Sequence, residues 1–492
     1  MAYNKKVHLR QNIDAIKLAF IFEKENRKST LEERKILSQY SGFGGIKTIL
    51  NKAEKQDDIH QWKKSETELF HLVQELHEIL REKSSTPDEY KQYFSSLRAS
   101  VLTSFYTPKP IIDVISNVLH ENKITANRIL EPSAGVGAFV ESFKKDFPES
   151  EIHCFEKDLI TGKILSHLYP DEKVRIEGFE KIENRYHGHF DCIVSNIPFG
   201  DVAVFDPQLS NHENPAIQQS TKAIHNYFFA KSIQTAREGG LIAFITSQGV
   251  LNSENNRPIR EYLMQNCNVV SAIRLPNNLF SDHAGTEVGS DLIILQKNTQ
   301  NEELNQRQKM FIGTRKLSNG VSVNNLMQDF HRVIHTKVTV DTNPYGQPAI
   351  VFTHEGGIEE ISNELRKMLK EDLSQHLTVE HYLRYSSNIH AEFIQNQPTT
   401  EVKSSKPIQQ EPPVITLYDL FGFSQEEQKQ AFKPKHKKKA KIEAKPAAEL
   451  PFMEWREELA YNTFQEKLRK EQEAQRQKAI YPAKDTKQTE YQ

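Results

Sequence analysis

Cysteine is scarce. The 492 residues hold three, Cys154, Cys192 and Cys267, far apart and with no Cys-x-x-Cys pair. That spacing argues against a disulfide framework and a thiolate zinc site, so no metal is expected, and it fits a reducing compartment such as the cytoplasm. An excess of one charge is also missing. Lysine plus arginine number 64 against 66 aspartate plus glutamate, a formal charge of −2. A protein that coats nucleic acid by bulk charge is excluded, and any grip on phosphates must come from local patches. No apolar run approaches the roughly 20 residues needed to span a bilayer. The N-terminus, Met-Ala-Tyr-Asn-Lys-Lys, leads into polar sequence rather than the apolar core of a secretory signal. A Gly-x-x-x-x-Gly-Lys-Ser/Thr phosphate loop is absent, as is any internal repeat.

What is present divides into four regions. Residues 1–100 read as a charged helical region, interrupted by Tyr40-Ser-Gly-Phe-Gly-Gly45, whose glycines mark a turn. Residues 101–300 alternate short apolar strands with amphipathic helices. Arg128–Glu131, Glu151–Glu156, Phe190–Ser195 and Leu241–Thr246 are strand-like, while Phe139, Val140, Phe143 and Phe147 recur at helical spacing. A helix is predicted over His225–Glu238, stopped by Gly239-Gly240, and another opening at Asn256 and Pro258. Val269–Leu275 and Asp291–Gln296 have no long helix between them, which predicts an α/β sheet ending in an antiparallel pair. Residues 301–395 read as a small α+β region. From 396 to 492 the chain is rich in Pro, Lys, Gln and Glu and reads as a disordered tail. The tail carries a basic run, Lys433–Lys439, and two apolar islands, Ile415–Phe423 and Pro451–Trp455.

Chemistry concentrates in two places. Ile129-Leu-Glu-Pro-Ser-Ala-Gly-Val-Gly-Ala-Phe139 follows a strand and opens a helix, a context in which Gly135 and Gly137 let backbone approach a ligand. The next strand ends in Glu156, a carboxylate placed to accept both ribose hydroxyls of an adenosine. The plain alternative is a tight strand–helix turn. The second place is Ser195-Asn-Ile-Pro-Phe199, a polar loop leaving a buried strand. Asn343-Pro-Tyr-Gly346 looks similar but lies between β-rich runs and reads as a turn.

These residues resemble the amino-group DNA methyltransferases. Glu131, Pro132, Ser133, Ala134, Gly135, Gly137 and Phe139 match the family's Asp/Glu-Pro-Ser-Ala-Gly-x-Gly-x-Phe motif. Phe105, Tyr106 and Thr107 match its Phe-Tyr-Thr-Pro element. Phe179 and Glu180 stand where a Gly-Asp motif near the adenine is usual. The resemblance implies a Rossmann-like methyltransferase sheet, S-adenosylmethionine as cofactor, and Glu156 on its ribose. Asn196, Ile197, Pro198 and Phe199 stand at the family's Asn-Pro-Pro-Tyr/Phe motif. There the Asn oxygen and a backbone carbonyl hold the two hydrogens of the adenine N6 amine, and the aromatic ring stacks on a flipped base. Ile197 replaces a proline, keeping the carbonyl and losing a fixed φ, while Pro198 still confines it to extended backbone.

His225–Phe229 and Gly239–Thr246 match segments beneath that loop and read as core. Leu275-Pro276, Phe280 and Gly285–Val288 resemble the target-base side. The order of motifs, with Tyr40–Gly45 and Asn196–Gly200, is most similar to methylases of conjugative and phage-like mobile elements. Some of these are fused to a helicase and associated with protection from restriction. The implied partners are therefore DNA and a separate helicase or mobile-element protein, with residues 301–395 a candidate target-recognition region. Two other readings fit the same residues: a protein glutamine methyltransferase, and a DNA-binding antirestriction protein without transfer activity.

Overall fold

The computed structural model describes residues 4–103, 107–280, 288–301, 303–317, 320–327, 329–342 and 348–386. Ser104, Phe105, Tyr106, residues 285–287, the Asn343–Gly346 turn and the tail with its basic run and apolar islands lie outside the described residues. No helix among the described residues is long and apolar enough to cross a membrane.

Seven strands form the central sheet: β1 (Arg128–Glu131), β2 (Glu151–Phe155), β3 (Lys173–Arg175), β4 (Phe190–Asn196), β5 (Ala236–Ser247), β6 (Cys267–Leu275) and β7 (Ser290–Lys297). Their order is β3-β2-β1-β4-β5-β7-β6. The first five run parallel, and β7 inserts antiparallel to both β5 and β6. β4 and β5 are almost continuously buried, as strands covered on both faces must be. The order reverses around β1, whose neighbours are β2 and β4, and in such sheets ligands bind at that switch point, beyond the carboxyl ends of the strands.

Alternate strand residues feed two cores. Ile129, Cys154, Val194, Ala243 and Ile294 face the helices Lys109–Glu121 and Ala138–Asp146. In the first of these, Ile111, Ile115, Val118 and Leu119 lie at helical spacing and bury one stripe. The same core takes Leu365, Leu369 and Tyr382 from the late helices Gly357–His376 and Val379–Arg384. Leu130, Ile193, Ile242, Phe244 and Ile293 face the opposite way, toward the helices Ile224–Thr235 and Arg257–Asn266. A third core joins the N-terminal helices, among them Lys5–Glu25, Phe70–Lys83 and Pro87–Thr103, to Ile160, Ile164 and Leu168 of the helix that follows β2.

The predicted boundary between the helix and β5 moves. The helix expected over His225–Glu238 ends at Thr235, and Gly239-Gly240 sit inside β5 rather than in a cap. Tertiary contacts decide this. Arg237 is drawn to buried Asp191 at 2.5 Å, and a Cβ at Gly239 would come 2.5 Å from the His381 carbonyl oxygen. Gly239 also takes φ +71°, which a β-carbon disfavours. Lys337–Thr342 and Pro348–Thr353 pair antiparallel, as expected of strands on either side of a turn.

Candidate active site

The turn after β1 is held by the strands beside it. The Ala134 N–H donates to the Phe155 carbonyl at 2.9 Å, at the end of β2. The Gly135 N–H donates to Glu156 Oε2 at 2.7 Å, and the Asp158 N–H to Glu156 Oε1 at 2.7 Å. Gly135 and Gly137 have φ +54° and +83°. At Gly137 the requirement is internal to the protein, since a Cβ there would lie 2.4 Å from the Tyr169 ring and 2.8 Å from Leu165.

Three acidic side chains gather here, and burial disfavours their charged forms. Burial, then the neighbouring Asp158, push the Glu156 carboxyl up to about 7. Glu131 is raised well above the usual carboxylate range by burial and by Glu156. Burial also raises Asp158, whose carboxylate accepts from Ser96 Oγ at 2.6 Å and from the Thr161 N–H at 2.8 Å. Glu131 takes a hydrogen bond from the Val140 backbone, while its Oε2 is buried with no hydrogen-bond partner among the described residues, as is Thr107 Oγ1. An orphaned, buried carboxylate oxygen suits a cationic donor such as an ammonium.

The Ser195–Phe199 loop leaves β4 beside this turn. Ser195 Oγ donates to the Ser133 carbonyl at 3.3 Å, joining the two segments across the switch point. Asn196 pairs in register with Ile245, and the Ile197 N–H donates to the Ile245 carbonyl at 3.0 Å. Ile197 is 1% exposed, its side chain in the core under β5. The position is therefore pinned by a ladder hydrogen bond that proline could not make, which offsets the missing ring. Pro198 and Phe199 are partly exposed, and Phe199 packs against the other core. Phe179 is 2% exposed, its ring 6.1 Å from Phe155 and 5.4 Å from Phe228, whereas Glu180 is partly buried, 3.4 Å from Lys157 Nζ.

Sequence reading missed a support beneath the loop. The Gly200 N–H donates to His225 Nδ1 at 3.3 Å. Asn256 Nδ2 lies 3.3 Å from His225 Nε2 and donates to the Gly249 carbonyl at 2.9 Å, and its Oδ1 accepts from Asn226 at 2.7 Å. Burial lowers the pKa of His225, which favours the neutral ring whose Nδ1 can accept. Nothing in an aromatic-rich helix sequence distinguishes this histidine from a core filler.

Among the described residues, Glu151, His153 and His189 bring potential metal ligands within 4.8 Å of one another. Cations already occupy the cluster: Lys173 Nζ lies 2.7 Å from Glu151, and Arg128 3.5 Å from His189.

The sheet order and the reversed β7 define a Rossmann-like methyltransferase fold. A family model described as N-6 DNA Methylase matches residues 89–366, more than half of the chain, and the chain belongs to that family. It is 26% identical over 197 residues to the "Defense against restriction protein B" of Escherichia phage P1, covering 40% of this chain and 8% of that protein. It is 23% identical over 273 residues to the "Type I restriction enzyme EcoEI methylase subunit" of Escherichia coli, covering 50% of this chain and 54% of that one. The chain thus spans about half or less of the length of these two curated relatives. A solved methyltransferase subunit of a type I restriction-modification system from Streptococcus thermophilus aligns with TM-score 0.35 at 13% identity, covering 65% of this chain and 79% of that one.

Proposed function

We propose that the chain is a DNA methyltransferase that uses S-adenosylmethionine and methylates N6 of a flipped adenine. The observation that carries the reading is the Ser195–Ser133 contact, which sets a polar Asn-Ile-Pro-Phe loop against a glycine turn closed by Glu156. Membership of the N-6 DNA Methylase family supports the choice of substrate.

The residues present fit the cofactor. Glu156 would accept its ribose hydroxyls, and Glu131, with its orphaned oxygen, would face its ammonium group. When bound, the cofactor supplies an already activated sulfonium methyl. The protein's task is then orientation. Asn196 and the Ile197 carbonyl would accept the two amine hydrogens, steering the nitrogen lone pair out of the ring. Phe199 would stack on the extruded base. The buried Ile197 and the Gly200–His225 bond keep that loop from shifting.

Two features bear on biological role. The phage relative is named for defence against restriction and the bacterial one as a methylase subunit. We read this chain accordingly as a modification enzyme that shields DNA, acting with partner chains. Residues 301–395 are proposed to read the target sequence, and residues 1–100 to brace the cofactor side through Ser96 and Asp158.

The test is incubation with labelled cofactor and unmethylated DNA, followed by nucleoside analysis. N6-methyladenine is expected with the wild type and about 100- to 1,000-fold less with Asn196→Ala, a deletion of the main amine acceptor, with cofactor affinity unchanged. Methyl transfer to a peptide amide and none to DNA would overturn the assignment.

A further inference from the structure

Three and six residues beyond Phe199, the chain exposes apolar side chains. Phe205 is 75% and Val202 58% exposed. A single exposed apolar residue is ordinary, but the setting of this pair is not. The loop is tied down at Gly200 through His225 and at Val204, whose N–H donates to the Thr221 carbonyl at 2.8 Å. On the other side of Phe205, Asp206 is 3% exposed. Its carboxylate accepts from Tyr227 Oη at 2.8 Å and Lys231 Nζ at 3.0 Å and from the N–H groups of Gln208 and Leu209. Phe205 is thus an aromatic ring held outward between two anchored neighbours. Lys222 is exposed beside Thr221, and Asp201 is exposed at the start of the loop.

We propose that Phe205 is a positioning residue that wedges into the base stack of duplex DNA at the step from which the adenine is extruded, with Val202 against the same gap. The inference rests on the function proposed above. Extruding a base from a duplex costs unpairing and unstacking, and apolar wedges are the usual means of offsetting that cost. Phe205 stands six residues along the chain from Phe199 in the loop that follows it, and this continuity with the proposed catalytic loop selects DNA as the occupant.

The test uses the full chain. Positions methylated by the wild type are mapped, and two synthetic duplexes are made, one with the target adenine paired to thymine and one with it opposite an abasic site. Phe205→Ala is expected to slow methylation of the paired duplex about 30-fold and of the abasic duplex less than about 3-fold, as unstacking costs of this order imply. Phe205→Trp should retain most activity. With 2-aminopurine at the target, the fluorescence rise on binding should shrink in Phe205→Ala. An unchanged melting temperature checks folding. Equal losses on both duplexes, or no loss on either, would overturn the wedge while leaving the methyltransferase intact. Failure of the wild type to methylate DNA removes the underlying reading instead.

Discussion

The Gly135 N–H and the Glu156 carboxylate meet at 2.7 Å, so the turn after β1 and the end of β2 behave as one unit. Burial, then the nearby Asp158, push the Glu156 carboxyl up to about 7. Its ionised form is the better acceptor for ribose hydroxyls. Cofactor affinity should therefore fall as pH drops through about 7 and level off above it. Equilibrium binding across this range checks the sign, and Glu156→Gln should flatten the profile and weaken binding by about 10-fold, the worth of a charge-assisted hydrogen bond. A flat wild-type profile would count against Glu156 as the ribose acceptor.

Burial and the neighbouring Glu156 raise Glu131 well above the usual carboxylate range, which favours its protonated form while no cation faces it. Docking an ammonium against it favours the ionised form, so cofactor binding should release protons. Calorimetry in two buffers of different ionisation heat measures this directly. The expected result is net release at pH 7 that diminishes in Glu131→Gln; proton uptake would contradict the proposed contact.

Ile197→Pro restores the commoner family motif yet should damage this protein. It deletes the hydrogen bond to Ile245 and empties part of a fully packed site. Together these cost about 2–4 kcal/mol. Denaturant unfolding of the variant reads the loss, and a variant as stable as the wild type would show that the loop tolerates either residue.

His225→Ala removes the acceptor for the Gly200 N–H. Because the ring's hydrogen-bond partners are Gly200 and Asn256, on the side of the loop, kcat should fall about 10-fold, with cofactor affinity preserved. Comparing kcat with the cofactor dissociation constant separates this from general unfolding. A parallel loss of both would reduce His225 to a packing role.

Much of this was legible locally. Arg128–Glu131 was readable to the residue, because its short apolar run is bounded by a proline and a glycine turn. The final antiparallel pair followed from two apolar runs with too little chain between them for a helical crossover. Asn256 was placed correctly as the residue before a helix, but its side chain serves His225 and Asn226 instead of capping.

Chain order and residue type were thus sufficient for the motifs, the strand-and-helix alternation and the fold class, since periodicity and turn chemistry act over a few residues. Folding alone supplied the rest. The Ser195–Ser133 contact joins residues 62 positions apart. The start of β5 depends on Asp191 and His381, and the soundness of Ile197 on a neighbour in β5. These are contacts between segments remote in sequence, where one buried charge or one ladder hydrogen bond outweighs the weaker preferences that local sequence expresses.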